Sequence, residues 1–297
     1  MIQDIIMIKV VIYGGTGFIG SALRAYLVEQ KNYQVDIISR KKSKYKSIND
    51  INYVPDVIIN LAGKSIIRSF WTTSNRQKFI DSRINYSNEM VNYQKKHPNT
   101  HIIGASSIGY YGLLDKECNE LTKNPNDSFI SKICAKIEEP YKESSKATIL
   151  RFSPVFGPKS KFNSMTISGF NYFKKTNSFF NTILNYISKY KILRIIGGPF
   201  KKISYVHIDD ACGIIEHIIK NKIFGKVNVV FKKYITNEEM LNIIDKKYII
   251  SSLIISEEKD FRFGKEKIKN IFVNSKNVKS IMLDTYKYKK PDFNQCI

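Results

Sequence analysis

Three glycines, Gly14, Gly17 and Gly20, follow the apolar run IKVVIY (8–13) in the stretch GGTGFIG. The run is short and rich in β-branched residues, which predicts a buried strand. The residues after it carry Leu23, Tyr26 and Leu27 at helical spacing. Strand, G-x-x-G-x-x-G and helix together form a phosphate cradle. Gly14 makes the tight turn, Gly17 admits a pyrophosphate to the backbone, and Gly20 lets the helix pack closely on the sheet. Phe18, Ile19 and Gly20 lead into the first helix, whose free N–H groups and positive dipole end favour an anion. Thr16 adds a hydroxyl donor. The chemistry expected is dinucleotide binding.

The second strand, YQVDII (33–38), ends in Ser39, Arg40, Lys41 and Lys42. An NAD site places an acid there for the ribose 2′-hydroxyl. No acid stands at this point, and three cations do. A 2′-phosphate suits them, so NADP(H) is favoured over NAD(H). Arg40 carries most of that inference, because arginine is scarce in this chain and its planar fork matches phosphate. A further stretch, SSIGYYG (106–112), offers hydroxyls at the end of another apolar strand.

These groups need an alternating scaffold. Strands are expected at 33–38, 56–60, 101–106, 147–152 and 226–230. Helices are expected at 21–30, from a Thr72 cap to about Lys95, at 129–138 and at 210–220. Asp209 or Asp210 is the expected cap of the last of these, and Thr236 with Glu239 forms a capping box for one more helix. Strands alternating with helices predict an α/β fold with a parallel sheet covered on both faces. The domain reading is a nucleotide-binding core at 7–158 and a C-terminal part at 159–297. That part comprises a variable insertion (159–190), remaining core elements (204–230) and a capping segment (231–297). Residues 1–6 read as an extension ahead of the first strand.

Composition narrows the classes. Formal charge is +22, which taken alone suggests a nucleic-acid or anionic surface. Yet only eight of the 48 basic residues are arginine, and the lysines are spread along the chain. A solvated basic surface is the simpler account, and it argues against a nucleic-acid partner. No run approaches a membrane span, and the N-terminus lacks a secretory pattern. The four cysteines (118, 134, 212, 296) form no C-x-x-C pair and have no histidine at metal-ligand spacing. They read as reduced thiols of a cytoplasmic protein, and no metal is expected.

With these motifs placed, the chain resembles the short-chain dehydrogenase/reductase superfamily, in its extended and atypical branch. It is most similar to the group named nucleoside-diphosphate-sugar epimerase family proteins, also described as cell-division inhibitors. The residues that carry the resemblance are GGTGFIG, INLAGKSI (59–66), RSFWT (68–72), DSRI (81–84), ASSIGYYG (105–112), LRFSPVFGP (150–158), GGP (197–199) and VHIDD (206–210). TNEEM (236–240) and YKYKKPDF (286–293) extend it to the C-terminus. The resemblance implies a Rossmann-like, doubly wound core with a smaller C-terminal substrate-capping part. It implies that Asn60, Leu61, Ala62 and Gly63 line the adenosine and ribose side. By the same likeness Ser106 and Ser107 stand beside the nicotinamide, and Ser153, Pro154 and Val155 close over its ring. Superfamily members often pair through helices, which implies a homodimer by analogy.

Most of the superfamily works with Ser, Tyr and Lys, the Tyr and Lys four residues apart on one helix. The Lys lowers the phenol pKa so that Tyr can move a proton near neutrality. Ser107 fits the Ser. On the helix at 129–138 the Tyr and Lys positions fall on Ile130 and Cys134. Three readings follow: Tyr111 or Tyr110 as acid/base with Lys132 or Lys136 as helper, a different proton donor, or cofactor binding without turnover, as in a redox-sensing protein. Arg68 and Trp71 stand where a substrate enters, and Arg83 lines the cleft wall. His207 reads as structural. The substrate is an unidentified small molecule.

Overall fold

The computed structural model describes residues 7–39, 43–64, 72–113, 116–158, 160, 192–196, 200–248, 251–255, 276–290 and 292–296. Arg40, Arg68, Trp71, the GGP at 197–199, residues 1–6 and most of the insertion at 159–190 lie outside the described residues.

The chain alternates in its first half as its periodicity predicts. β1 (Ile8–Tyr13) leads into α1 (Phe18–Glu29), then β2 (Tyr33–Ile38), β3 (Val57–Asn60), α2 (Thr73–Lys96), β4 (His101–Ser107), a two-residue β5 (Glu117–Cys118), α3 (Phe129–Glu138), β6 (Ala147–Phe152) and β7 (Val155–Phe156). The second half supplies β8 (Ile192–Ile196), β9 (Lys202–Ile203), β10 (Val206–His207), α4 (Ile208–Lys220), β11 (Gly225–Val229), β12 (Ile235–Thr236), α5 (Asn237–Tyr248), β13 (Ser251–Ile255) and β14 (Asn277–Val278).

The central sheet has six strands in the order β11-β6-β4-β3-β1-β2. Every neighbouring pair is parallel. Because β1 lies between β2 and β3, the winding reverses there, which puts a switch-point crevice outside the carboxyl ends of β1 and β3. Each face is covered. Leu23 and Leu27 of α1 and the isoleucines 214, 215, 218 and 219 of α4 pack against Val10, Ile12, Ile59 and Val227 on one side. Met90 and Val91 of α2, with Tyr141, pack against Val11, Ile58, Ile102 and Ile149 on the other. The strands read as continuous apolar runs because both their faces are buried.

Local signals set the helix starts. Thr72 accepts from the Asn75 amide at the start of α2, and Ser128 and Ser131 form a capping box at the start of α3. Thr236 and Glu239 close theirs at the start of α5. The expected Asp209 or Asp210 cap of α4 is corrected: the His207 ring caps the helix, its Nδ1 accepting from the Asp209 amide at 3.1 Å. Asp210 is buried instead, and its carboxylate accepts the amides of Lys289 (2.6 Å) and Lys290 (3.0 Å). That contact docks the C-terminal segment on α4. A second tie pairs β14 with β5.

Candidate cofactor site at the carboxyl ends of β1, β3 and β4

Gly14 leaves β1 with φ +76°, a conformation an L side chain rarely adopts. A Cβ at this position would also lie 2.8 Å from the Ala62 amide nitrogen, so the turns after β1 and β3 touch through backbone. Gly20 is buried against the same turn, where a Cβ would come 2.8 Å from Gly15 Cα. Gly17 differs. It is exposed, has ordinary φ, and a Cβ there would meet nothing nearer than Gly14 O at 3.2 Å. No side chain caps α1 at Gly17 and no acid stands in its first turn, so the first-turn amides keep their donors and the dipole its positive end. Thr16 is exposed beside them.

At the neighbouring turn, Asn60 is buried and its Oδ1 accepts from the Ala62 amide at 3.0 Å. Its side chain thereby fixes the backbone of the turn that runs through Leu61 and Ala62 to Gly63. Gly63 is exposed, while Leu61 and Ala62 are half-buried. Ser39, after β2, is half-buried, and its carbonyl accepts from Lys46 Nζ at 3.3 Å. The last carboxylate of β2, Asp36, is engaged by the Tyr53 hydroxyl at 2.7 Å.

The end of β4 separates its two serines. Ser106 Oγ donates to Glu138 Oε1 at 2.7 Å, which commits its proton. Ser107 Oγ accepts from the Gly109 amide at 3.0 Å and so keeps its own proton to give. Ile130 packs on Gly109, beside Ser107. Cys134 lies against Ser106 and Ser107, and burial pushes its thiol up to about 12. The structure thus places Ile130 and Cys134 next to the serines.

A buried network backs this corner. Arg151 is 0% exposed and Glu138 3% exposed. They pair in two-point fashion, Nε to Oε1 at 3.0 Å and Nη2 to Oε2 at 2.7 Å. Arg151 Nη1 donates to the Tyr111 hydroxyl at 3.0 Å, and that hydroxyl donates to Asn228 Oδ1 at 2.8 Å. The acid/base expectation for Tyr111 is therefore corrected. Its side chain is 0% exposed, both hydrogen-bonding roles of its hydroxyl are taken, and burial pushes its pKa up to about 12. Lys132 and Lys136, its expected helpers, are exposed on α3. Tyr110 is half-buried, and its ring carries the Arg151 guanidinium 3.4 Å from the centroid.

Ser153 is buried, and its hydroxyl donates to Val229 O at 2.9 Å, which ties β6 to β11. Pro154 and Val155 are half-buried at the end of β6. His207 is buried, and that burial lowers its pKa. Arg83, on α2, is half-buried and reaches back to the β3 turn, donating to Lys64 O at 3.0 Å. Sequence reasoning missed the roles of Glu138, Arg151 and Asn228. The one available signal was an arginine inside the apolar strand ATILRF.

All four cysteines are buried and free. Among the described residues no three His, Cys, Asp or Glu side chains gather as a metal site. No described helix is long and apolar enough to cross a membrane.

A parallel doubly wound sheet, with a glycine turn against the next strand's turn at its switch point, defines a Rossmann-like nucleotide-binding protein. More specifically, the chain belongs to the NAD dependent epimerase/dehydratase family, whose model matches residues 10–231. The epimerase family protein YfhF of Bacillus subtilis is 29% identical over 241 residues, covering 73% of this chain and 72% of that protein. The human epimerase family protein SDR39U1 is 23% identical over 245 residues, 78% of this chain and 77% of its own. A crystal structure of human SDR39U1 (isoform 2) with NADPH superposes with a TM-score of 0.77 at 20% identity and covers 97% of both chains. The dTDP-4-dehydrorhamnose reductase of Bacillus anthracis in complex with NADP gives a TM-score of 0.69 at 15% identity.

Proposed function

We propose that the chain is an NADP(H)-binding oxidoreductase or epimerase-like enzyme that acts on a small molecule in the cytoplasm without a Tyr-x-x-x-Lys pair. The observation that carries this reading is the contrast within the glycine turn. Gly14 and Gly20 are demanded by the protein's own packing. At Gly17 a Cβ would press only mildly on Gly14 O at 3.2 Å and the position is exposed, so the fold constrains it far less and its missing Cβ leaves room for a ligand. The first-turn amides of Phe18, Ile19 and Gly20 would hold the pyrophosphate. The turn from Leu61 to Gly63 would take the ribose side. Support for NADP(H) over NAD(H) comes from the β2 end, where Ser39 and Lys46 meet and the nearest acid is engaged elsewhere. The structural relatives hold NADPH or NADP in some cases and NAD in others, which supports a nicotinamide cofactor without choosing between the two.

When bound, the nicotinamide supplies hydride transfer. Ser107 is the group on this chain suited to a substrate oxygen, because the Gly109 amide occupies its acceptor side and its proton remains to donate. Tyr110 is the tyrosine of this corner whose hydroxyl is not committed to the buried network. The test is nicotinamide fluorescence on titration with NADPH and NADH. Selective NADPH binding, lost in Gly17→Val, is expected; no enhancement with either cofactor overturns the reading.

A second reading, a non-catalytic NADP(H)-binding redox sensor, is favoured by one observation: apolar Ile130 and a buried thiol at Cys134 stand beside the serines. Oxidation of NADPH by the purified protein with any defined carbonyl acceptor would exclude it.

A further inference from the structure

The corner that lacks a lysine on α3 still contains a cation. Arg83 enters it from α2 rather than from α3. Its Nη1 donates to Phe79 O at 3.1 Å within its own helix, and its Nη2 donates to Lys64 O at 3.0 Å across the β3 turn. The guanidinium lies flat against Gly63: a Cβ at that position would fall 2.7 Å from Arg83 Cζ and 2.9 Å from Nε. Its charge acts on the Cys134 thiol, which in turn lies against Ser106 and Ser107. One side of the guanidinium therefore faces the turn after β3, and its field reaches the end of β4.

Both of its hydrogen bonds go to neutral backbone carbonyls, and no carboxylate among the described residues lies within ion-pair distance. Burial acts against the charge and pulls the Arg83 pKa down. A partly desolvated arginine without an anionic partner is costly and calls for a compensating anion. By contrast, the fully buried Arg151 has its carboxylate in Glu138.

Topology says which anion. The adenosine end of a dinucleotide belongs at the β2 edge and the pyrophosphate at the β1 turn. Sheet order β2-β1-β3-β4 then carries the other half of the molecule over β3 and β4, where Arg83 stands. We propose that Arg83 supplies, from α2, the positive charge for the nicotinamide half of NADP(H), its pyrophosphate oxygens and ribose hydroxyls, in place of a lysine on α3. The assignment rests on the cofactor reading above. It also gives Gly63 a reason of its own, since any side chain there would displace the guanidinium.

The test compares two ligands on the same protein, NADPH and 2′,5′-ADP, which lacks the nicotinamide half. Arg83→Gln is expected to weaken NADPH binding about tenfold to a hundredfold, the range of a charge-assisted hydrogen bond. It should leave 2′,5′-ADP within about twofold of wild type. Arg83→Lys separates charge from scaffolding. It keeps the charge but lacks the fork that holds both carbonyls, and it is expected to retain most of the NADPH affinity. Thermal melts without ligand confirm that each variant is folded. Unchanged NADPH affinity in Arg83→Gln overturns the assignment. So does an equal loss for both ligands, or a Lys variant as weak as the Gln variant, because these mark a scaffolding role. If the wild type binds neither ligand, the cofactor reading itself falls and takes the assignment with it.

Discussion

Replacing Glu138 tests whether the corner behind the serines is held by one buried ion pair. The pair is sealed, with Arg151 0% and Glu138 3% exposed, so solvent screening does not discount it. Glu138→Leu leaves the guanidinium with Tyr111 as its only remaining partner in the network and strips Ser106 of its acceptor. Removing one member of a buried pair costs about 3–5 kcal/mol, because the surviving charge stays desolvated. Loss of the Ser106 bond adds about 1 kcal/mol. The sum is a large part of the roughly 5–15 kcal/mol that stabilises a typical domain. Arg151→Met should cost a similar amount for the opposite reason, a carboxylate left behind. The double variant Glu138→Leu/Arg151→Met removes both charges and should cost clearly less than either single variant. Urea unfolding followed by circular dichroism, with midpoints compared at constant m-value, reads all four proteins. Single variants that cost less than about 1 kcal/mol, or a double variant whose cost equals the sum of the singles, would refute the argument.

Three further outcomes follow from the same geometry. Burial lowers the His101 pKa from 6.5 to about 4, so the folded state resists protonation that the unfolded chain accepts. Its contribution is complete above about pH 6.5 and is lost as the pH falls toward 4, about 3 kcal/mol in all; urea midpoints should lose that slope in His101→Gln, and an identical slope in the variant would contradict the assignment. Gly17→Ala should cost under about 1 kcal/mol of stability yet weaken NADPH binding, whereas Gly20→Ala should damage both, since its Cβ meets backbone; equal stability losses would remove the contrast on which the cofactor reading rests. Tyr111→Phe should lower stability by about 1–3 kcal/mol by leaving Asn228 and Arg151 short of a partner, without moving the NADPH affinity; a selective loss of NADPH binding or turnover would return Tyr111 to the site.

Much of this fold was legible because its signals are local. A β-branched run, a glycine turn and a helical stripe lie within residues 8–29, and Thr72, Ser128 and Thr236 mark helix starts a few residues away. What escaped depends on contacts distant in sequence. Arg151 meets Glu138 across 13 residues, Tyr111 across 40, and Tyr111 meets Asn228 across 117. No period or spacing encodes such a meeting. Tyr111 reads as a site residue because a tyrosine after a serine-rich strand end has a hydroxyl to offer; only packing reveals that the hydroxyl is spent. Asn60 and Ser153 pose the same question, since a polar residue at a strand end serves a ligand or its own backbone, and both of these side chains bond backbone groups. The His207 cap shows the same limit on a smaller scale: two aspartates follow it, and the ring takes the amide first.

The distribution of polar groups at the β4 corner constrains how any reaction here can run. In the usual arrangement one helix provides both the proton donor and the cation that tunes it. Here that helix presents Ile130 and Cys134, and a thiol pushed up to about 12 stays protonated and inert at neutral pH. The polar groups stand on other elements: the serines on β4, the Arg83 guanidinium on α2, and a carboxylate at the end of α3 that Arg151 neutralises. Ser107 alone can orient a substrate oxygen but cannot supply a proton at neutral pH unless something lowers its pKa. Among the described residues the proton donor this corner offers is Tyr110, whose ring is held by Arg151 and whose hydroxyl lies outside the network; an acidic group carried by the substrate itself is the other route. The two routes differ in pH profile. A Tyr110 route ties kcat to a protein group and is lost in Tyr110→Phe, whereas a substrate-borne acid leaves kcat in that variant unchanged and moves the profile with the substrate's own pKa.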